Sequence, residues 1–133
     1  MTRVLALDYG AARCGSAVSD PSGSLATPLR SVERPDSPAG LEELVELVRE
    51  TGAELVVVGL PLTLAGEEGE QAAATRSFAG RLRRVAGVPV ELYDERLTTR
   101  RAMRSGGAAD EDSRAAAHLL EDWLESSATR TEA

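Results

Sequence analysis

The strongest constraint on the fold is a short apolar run that is flanked on both sides by helical patterns. Residues 55–58 read Leu-Val-Val-Val, with no polar position among them. A strand of this kind is buried on both faces, which is typical of a parallel strand covered by helices. Residues 4–7 form a second apolar run of the same character. The two runs predict an α/β fold built around a buried sheet.

The first half of the chain is predicted to begin with a hairpin. Residues 16–19 resume as a strand after a glycine-containing turn, and residues 25–32 form a third strand whose Pro28 favours an edge. Helical spacing then starts at Leu41 and ends at Gly52, a typical glycine stop.

Helices and strands alternate in the second half of the chain. We predict a helix over 70–85, a strand over 88–93, a short helix over 98–103 and a last helix over 111–125. The inward face of the first of these helices is predicted to carry Ala74, Phe78, Leu82 and Val85. The sum is an α/β fold with a five-stranded mixed sheet, antiparallel at its start and parallel later, flanked by helices.

The chain has the size of one domain. Its 133 residues are expected to form a single domain over 1–126 and a flexible polar tail over 127–133. No apolar run is long enough to span a bilayer, and the first residues lead directly into a strand rather than a signal peptide. Together with a single cysteine, these features indicate a cytoplasmic protein with no membrane partner.

Metal chemistry is restricted by the shortage of soft ligands. The chain has one cysteine, Cys14, and one histidine, His118, which excludes a zinc site of the usual kind. We expect Cys14 to fill a turn, where it would cross-link two chains only if exposed, and His118 to lie at the surface. A metal would therefore bind carboxylate oxygens, which favours Mg²⁺, Mn²⁺ or Ca²⁺.

The net charge of −7 is unevenly distributed. All fifteen basic residues are arginine, and eight of them fall within residues 76–104, where only three acids oppose them. Arginine suits bidentate contacts to phosphate. Arg100, Arg101 and Arg104, with others on the preceding helix, form either a phosphate path or a solvated face.

Three acids are placed where strand ends and a helix start could bring them together. Asp8 ends the first strand, and Asp94 and Glu95 end the last one. On the last helix, Asp112 lies within about 20° of the apolar stripe through Leu119 and Trp123. It is either a first-turn acid favoured by the helix dipole or a metal ligand aimed at the strand ends. Three converging carboxylates would need a divalent cation to offset their repulsion.

Five short stretches of the chain resemble the YqgF/RuvX family. They are DYG at 8–10 with RCGSAVSD at 13–20, VGLPL at 58–62, DERLTT at 94–99 and DSRAA at 112–116. They follow the family's order and spacing over nearly the whole chain. The family is described as pre-16S rRNA nucleases and as Holliday-junction-resolvase-like proteins with an RNase H-like fold.

The resemblance implies the residues of a nuclease site. Asp8, Glu95 and Asp112 would be the catalytic acids and the ligands of Mg²⁺ or Mn²⁺. The substrate phosphates would contact arginines on the turn after the first strand and beyond the last one, namely Arg13, Arg96, Arg100, Arg101 and Arg104. Arg96 could instead pair with Asp94. The family usually has a lysine where this chain has Ala12, a change that bears on substrate affinity more than on the metal site.

The function expected from the resemblance is metal-dependent hydrolysis of phosphodiester bonds in structured nucleic acid, in 5′-end processing of pre-16S rRNA. One alternative is a resolvase that acts on four-way DNA junctions, which should be a homodimer because its substrate is symmetric. Another is a ribosome- or nucleic-acid-binding module without catalysis. An rRNA nuclease could be a monomer or a homodimer.

Overall fold

A mixed sheet with helices on both faces forms the structure, which is a computed structural model that describes residues 3–20, 22, 25–61, 69–94 and 111–132. The strands are β1 (Val4–Tyr9), β2 (Arg13–Ser19), β3 (Ala26–Pro28), β4 (Val32–Glu33), β5 (Leu55–Leu60) and β6 (Val90–Asp94). The helices are α1 (Pro38–Thr51), α2 (Glu70–Ala86) and α3 (Glu111–Glu132). The short helix predicted over 98–103 lies outside the described residues.

The sheet has the strand order β3-β2-β1-β5-β6, and β4 also pairs with β2. β1 and β2 form the predicted antiparallel hairpin, whereas β5 runs parallel to both β1 and β6. The all-apolar run therefore lies at the centre of the parallel half. The predicted five-stranded mixed sheet is confirmed, with β4 as a short sixth strand.

Side chains of β1 alternate between the two faces of the sheet, as the pleat requires. Leu5, Leu7 and Tyr9 lie in a hydrophobic cluster shared with α1 and α2, whereas Val4 and Ala6 lie in a second cluster shared with α3. The residues that α3 contributes to the second cluster are Ala116, Ala117, Leu119, Leu120 and Trp123. The predicted apolar stripe of the last helix is therefore confirmed as core.

The strand predicted over 25–32 is broken into two. The carbonyl of Ser16 accepts a hydrogen bond from the backbone N–H of Leu29 at 2.8 Å, and the Ser16 hydroxyl donates to the carbonyl of Arg30 at 2.5 Å. Because a side chain occupies the Arg30 carbonyl, regular pairing stops after β3 and resumes only at β4. Pro28 lies on the edge strand, as predicted.

Two elements begin earlier than the sequence predicts. β2 starts at Arg13 rather than at residue 16, and α1 starts at Pro38 rather than at Leu41. The hydroxyl of Ser37 caps α1 by accepting a hydrogen bond from the Gly40 N–H at 3.0 Å, and proline suits the first helical position. The C-terminal glycine stop of α1 is confirmed, since Gly52 adopts the left-handed conformation with φ 71°.

The inward face of α2 is only partly the predicted one. Phe78 and Leu82 are buried, but Ala74 and Val85 are exposed, the latter by 51%. The helix instead buries small residues that lie beside this stripe, namely Ala72, Thr75, Ala79 and Ala86. The helix is rotated toward these residues because small side chains allow it to pack closely on the sheet.

The last helix is longer than predicted. It was expected to end near residue 125, but it continues to Glu132, so the predicted tail over 127–133 is helical up to that residue. No glycine or proline occurs in this segment to stop the helix. None of the helices within the described ranges is long and apolar enough to cross a bilayer.

Candidate active site

Asp8 lies near the carboxyl end of β1, on the face of the sheet that α3 covers. It follows Ala6 by two positions and pairs with Gly15 of β2 in the antiparallel register. Strand alternation thus points Asp8 toward α3, while its neighbours Leu7 and Tyr9 face the opposite side. The side chain is neither fully buried nor freely exposed.

The N-terminus of α3 is packed directly onto β2 beside Asp8. A Cβ atom added to Gly15 would lie 2.1 Å from the carbonyl oxygen of Asp112, so only glycine allows this approach. One residue further along each chain segment, the Ser16 N–H donates to the hydroxyl of Ser113 at 3.3 Å. These contacts bring Asp112 to the strand that pairs with Asp8.

The electrostatics of the site couple the two carboxyl groups. Burial, followed by the charge of Asp112, raises the pKa of Asp8 from 3.8 to about 6. Asp112 forms an ion pair with Arg13, whose Nε lies 2.9 Å from Oδ2. Arg13 remains 60% exposed, so its guanidinium borders solvent at the rim of the site.

The donor set formed by Asp8 and Asp112 fits a hard divalent cation. Both groups offer carboxylate oxygens, and a cation that lies between them offsets the repulsion between their negative charges. Burial, followed by the charge of Asp112, raises the pKa of Asp8, so a bound cation would favour its ionised form. The interpretation of Asp112 as a ligand aimed at the strand ends stays a prediction beside that of a structural first-turn acid, which its ion pair with Arg13 also fits.

The third predicted acid, Glu95, lies outside the described residues, and so do Arg96, Arg100, Arg101 and Arg104. β6 ends at Asp94, at the same edge of the sheet as the carboxyl end of β1, because β1, β5 and β6 are parallel. Within the part of the chain that the structure describes, no group of three or more potential ligands is assembled. The three-carboxylate site stays a prediction, of which the structure brings two members together.

A polar network on the opposite face of the sheet was not predicted. The Tyr9 hydroxyl donates to Asp36, which also forms an ion pair with Arg81 of α2. The Tyr9 ring stacks on Phe78 with centroids 4.4 Å apart, and burial and the Asp36 hydrogen bond raise the Tyr9 pKa to about 12. Tyr9 is thus a residue of the core.

Two of the described arginines of α2 have structural roles. Arg81 is held by Asp36, and Arg83 donates to the carbonyl of Val90 at 2.9 Å. These two contacts tie α2 to the rest of the fold, which argues against both as members of a phosphate path.

The two remaining candidates, Cys14 and His118, are both largely covered. Cys14 is fully buried in the first hydrophobic cluster, and burial, with the charges of Asp8 and Asp112, raises the pKa of its thiol. In this fold the thiol is not available for cross-linking. His118 is not a surface residue as expected, since its side chain is only 15% exposed and its Nδ1 lies 3.2 Å from Glu121.

Comparisons with known proteins place the chain in a family. Residues 2–126 match a family model described as "RuvX: Holliday junction resolvase". A protein from Mycolicibacterium paratuberculosis named "Putative pre-16S rRNA nuclease" is 44% identical over 133 residues, with 92% of this chain and 80% of its own length covered. A protein of the same name from Chloroflexus aurantiacus is 40% identical, with 92% and 86% covered.

The fold has a counterpart among solved structures. RuvC of T. thermophilus, in complex with a Holliday junction substrate, superposes with a TM-score of 0.62 at 17% identity, covering 96% of each chain. The likeness confirms the predicted RNase H-like α/β architecture. At this identity it bears on the fold alone.

Proposed function

Because the chain belongs to the RuvX family, we propose that it is a metal-dependent nuclease that hydrolyses phosphodiester bonds in structured nucleic acid. Within that class we propose 5′-end processing of pre-16S rRNA, the activity for which its relatives are named. The observation that supports the site is the approach of Asp112, from the first turn of α3, to Asp8 on β1. Burial, followed by the charge of Asp112, raises the pKa of Asp8.

We assign the cation site to Asp8, Asp112 and Glu95, with Mg²⁺ or Mn²⁺ as the ion. When bound, such an ion polarises the scissile phosphodiester and lowers the pKa of a water molecule. Asp8 and Asp112 supply the oxygens that hold the ion against the sheet. At neutral pH Asp8 is largely ionised, since its pKa of about 6 lies below 7, and is ready to bind a cation.

Recognition of substrate phosphates is assigned to the arginines around the site. Arg13 borders solvent beside Asp112 and can contact a phosphate without leaving the rim. The other members of this proposed set are Arg96, Arg100, Arg101 and Arg104. Their number in a chain of net charge −7 supports a localised phosphate contact rather than a general attraction to nucleic acid.

The test of the nuclease assignment is the substitution Asp8→Asn. We expect it to abolish Mn²⁺-dependent cleavage of a precursor rRNA fragment by the purified protein. Asp20→Asn is the matched control. Asp20 follows the carboxyl end of β2, at the opposite end of the hairpin from Asp8, and the asparagine keeps an oxygen that can accept from the Leu25 N–H. Undiminished cleavage by Asp8→Asn would contradict the assignment to this site.

The same assay separates the alternative functions. A four-way DNA junction offered beside the RNA tests the resolvase activity, which the description of the family model brings into consideration. A resolvase requires a homodimer for two symmetric cuts, so a monomer in sedimentation equilibrium would exclude it, whereas a homodimer fits either activity. Binding of RNA without cleavage in Mn²⁺ would favour the non-catalytic module. The cytoplasmic location is part of the rRNA proposal, since ribosomal precursors are its substrate.

A further inference from the structure

The gap between β3 and β4 leaves one backbone donor of β2 without a strand partner. The Ser16 carbonyl faces this side, because it accepts from Leu29 N–H, and the N–H of the same residue points the same way in a strand. The Arg30 carbonyl, which lies in the gap, is occupied by the Ser16 hydroxyl. A buried N–H that lacks a partner is costly, so it must be satisfied from elsewhere.

The donor is satisfied by the first turn of α3. The Ser113 hydroxyl accepts from Ser16 N–H at 3.3 Å, and Ser113 is fully buried. The two residues are separated by 97 positions along the chain, so this contact fixes a helix to a strand rather than a local turn. It lies beside the point where the Asp112 carbonyl presses on Gly15.

We propose that Ser113 is a positioning residue of the cation site. By accepting a hydrogen bond from the Ser16 N–H, which has no partner in β3 or β4, it directs Asp112 toward Asp8. The inference rests on the proposed function because it assumes a bound cation, whereas the contact between Ser113 and Ser16 is a feature of the fold itself. Asp112 and Ser113 are adjacent on the same helical turn, so a shift of Ser113 on β2 moves the carboxylate with it. Gly15 provides the space for this approach and Ser113 provides the bond that fixes it.

A second buried serine offers a matched control. The Ser19 hydroxyl accepts from the Val4 N–H at 2.8 Å, and Ser19 is 1% exposed. It therefore makes the same kind of contact as Ser113, to a backbone donor of the same hairpin. It lies at the opposite end of β1 from Asp8, where loss of its hydroxyl cannot reorient Asp112.

The experiment compares Ser113→Ala with Ser19→Ala in the full chain. Both variants should lose stability to a similar extent in urea unfolding. Calorimetric titration with Mn²⁺ alone should give a Kd raised roughly 10-fold or more for Ser113→Ala, as for other groups that orient metal ligands, and unchanged for Ser19→Ala. Hydrogen exchange at the Ser16 amide should accelerate in Ser113→Ala only, which reports the same contact without metal or substrate.

The outcomes separate this inference from the proposed function. Equal Mn²⁺ affinities of the two variants, or an unchanged Ser16 exchange rate in Ser113→Ala, would overturn the positioning role. Failure of the wild-type protein to bind Mn²⁺ would overturn it together with the cation site. Binding of Mn²⁺ by the wild type without cleavage of any nucleic acid would overturn the nuclease proposal alone, and the comparison of the serine variants would still decide the role of Ser113.

Discussion

A carboxyl group with a pKa of about 6 resists ionisation, and Asp8 is such a group. In the unfolded chain it ionises at about 3.8, so the folded state binds the proton more tightly. The stability that this proton contributes is complete below pH 3.8 and is lost as the pH rises through about 6. Asp8 therefore opposes folding at neutral pH when no cation is present.

The substitution Asp8→Asn removes this pH-dependent contribution. In the presence of EDTA we expect the variant to match the wild type near pH 4 and to exceed it by up to about 3 kcal/mol at pH 8. Urea unfolding at the two pH values measures the difference. A wild-type protein as stable as the variant at pH 8 would show that the Asp8 carboxylate is better solvated than its surroundings indicate.

Arg13 allows a test of phosphate contact at the level of one residue. If it binds a phosphate, Arg13→Gln should reduce the slope of log K against log salt for RNA binding by about 1. Arg49→Gln is the control, because Arg49 is likewise an exposed arginine in an ion pair, with Glu46 at 3.2 Å on the outer face of α1. Identical slopes for the two variants would remove Arg13 from the phosphate-binding set.

At the scale of elements, the site depends on how closely α3 approaches β2. The helix can lie there because β2 carries Gly15 at the point of contact and because α3 presents small residues, such as Ala116, to the sheet. The first turn of α3 is fixed twice, by the packing of Asp112 on Gly15 and by the Ser113 hydrogen bond. Asp112 is thus directed by contacts with a strand rather than by its own helix.

Gly15→Ala tests this close packing. The added methyl group would overlap the Asp112 carbonyl, so we expect a loss of stability of about 1–3 kcal/mol, as for other overpacked sites, and weaker Mn²⁺ binding. Gly80→Ala is the control in α2, where a Cβ atom meets nothing within 4 Å and alanine should stabilise the helix by roughly 0.5–1 kcal/mol. Urea unfolding compares the two, and a Gly15→Ala variant as stable as the wild type would refute the steric argument.

The sequence predicts elements well where periodicity alone decides them. The all-apolar runs of β1 and β5 mark buried strands, and the stripe on α3 through Trp123 singled out Asp112 from its acidic neighbours. The break after β3 could not be predicted, because it arises from the hydrogen bond of Ser16 to Arg30, between segments that local patterns treat separately. The exposure of Val85 also depends on tertiary contacts, because packing against the sheet buries the small side chains of α2 instead. Glu95 and the arginines that follow it remain predictions.

At the scale of the whole molecule, the two faces of the sheet have different coverings. α1 and α2 share one hydrophobic cluster, whereas α3 is the described helix that packs on the other face, on which Asp8 lies. A cation bound between Asp8 and Asp112 would therefore join α3 to the sheet and stabilise the entire fold by ligand linkage.

Thermal unfolding in Mn²⁺ measures this linkage. At a free Mn²⁺ concentration of 100 times Kd, we expect the wild type to gain about 2.7 kcal/mol and its Tm to rise accordingly. The gain should disappear in Asp112→Asn and shrink in Glu95→Gln. Asp20→Asn, whose carboxylate lies at the other edge of the sheet, should keep it. Equal gains in the wild type and Glu95→Gln would exclude Glu95 as a ligand.

The position of α3 after every described strand also has a consequence for biosynthesis. A nascent polypeptide that has emerged only as far as β6 already displays Asp8 but has yet to expose Asp112. The pair of acids is completed only when the segment after β6 has left the translating ribosome and docked. The proposed cation site can therefore form only after α3 has been synthesised and has docked, so a nascent chain that ends before Asp112 should not bind the cation.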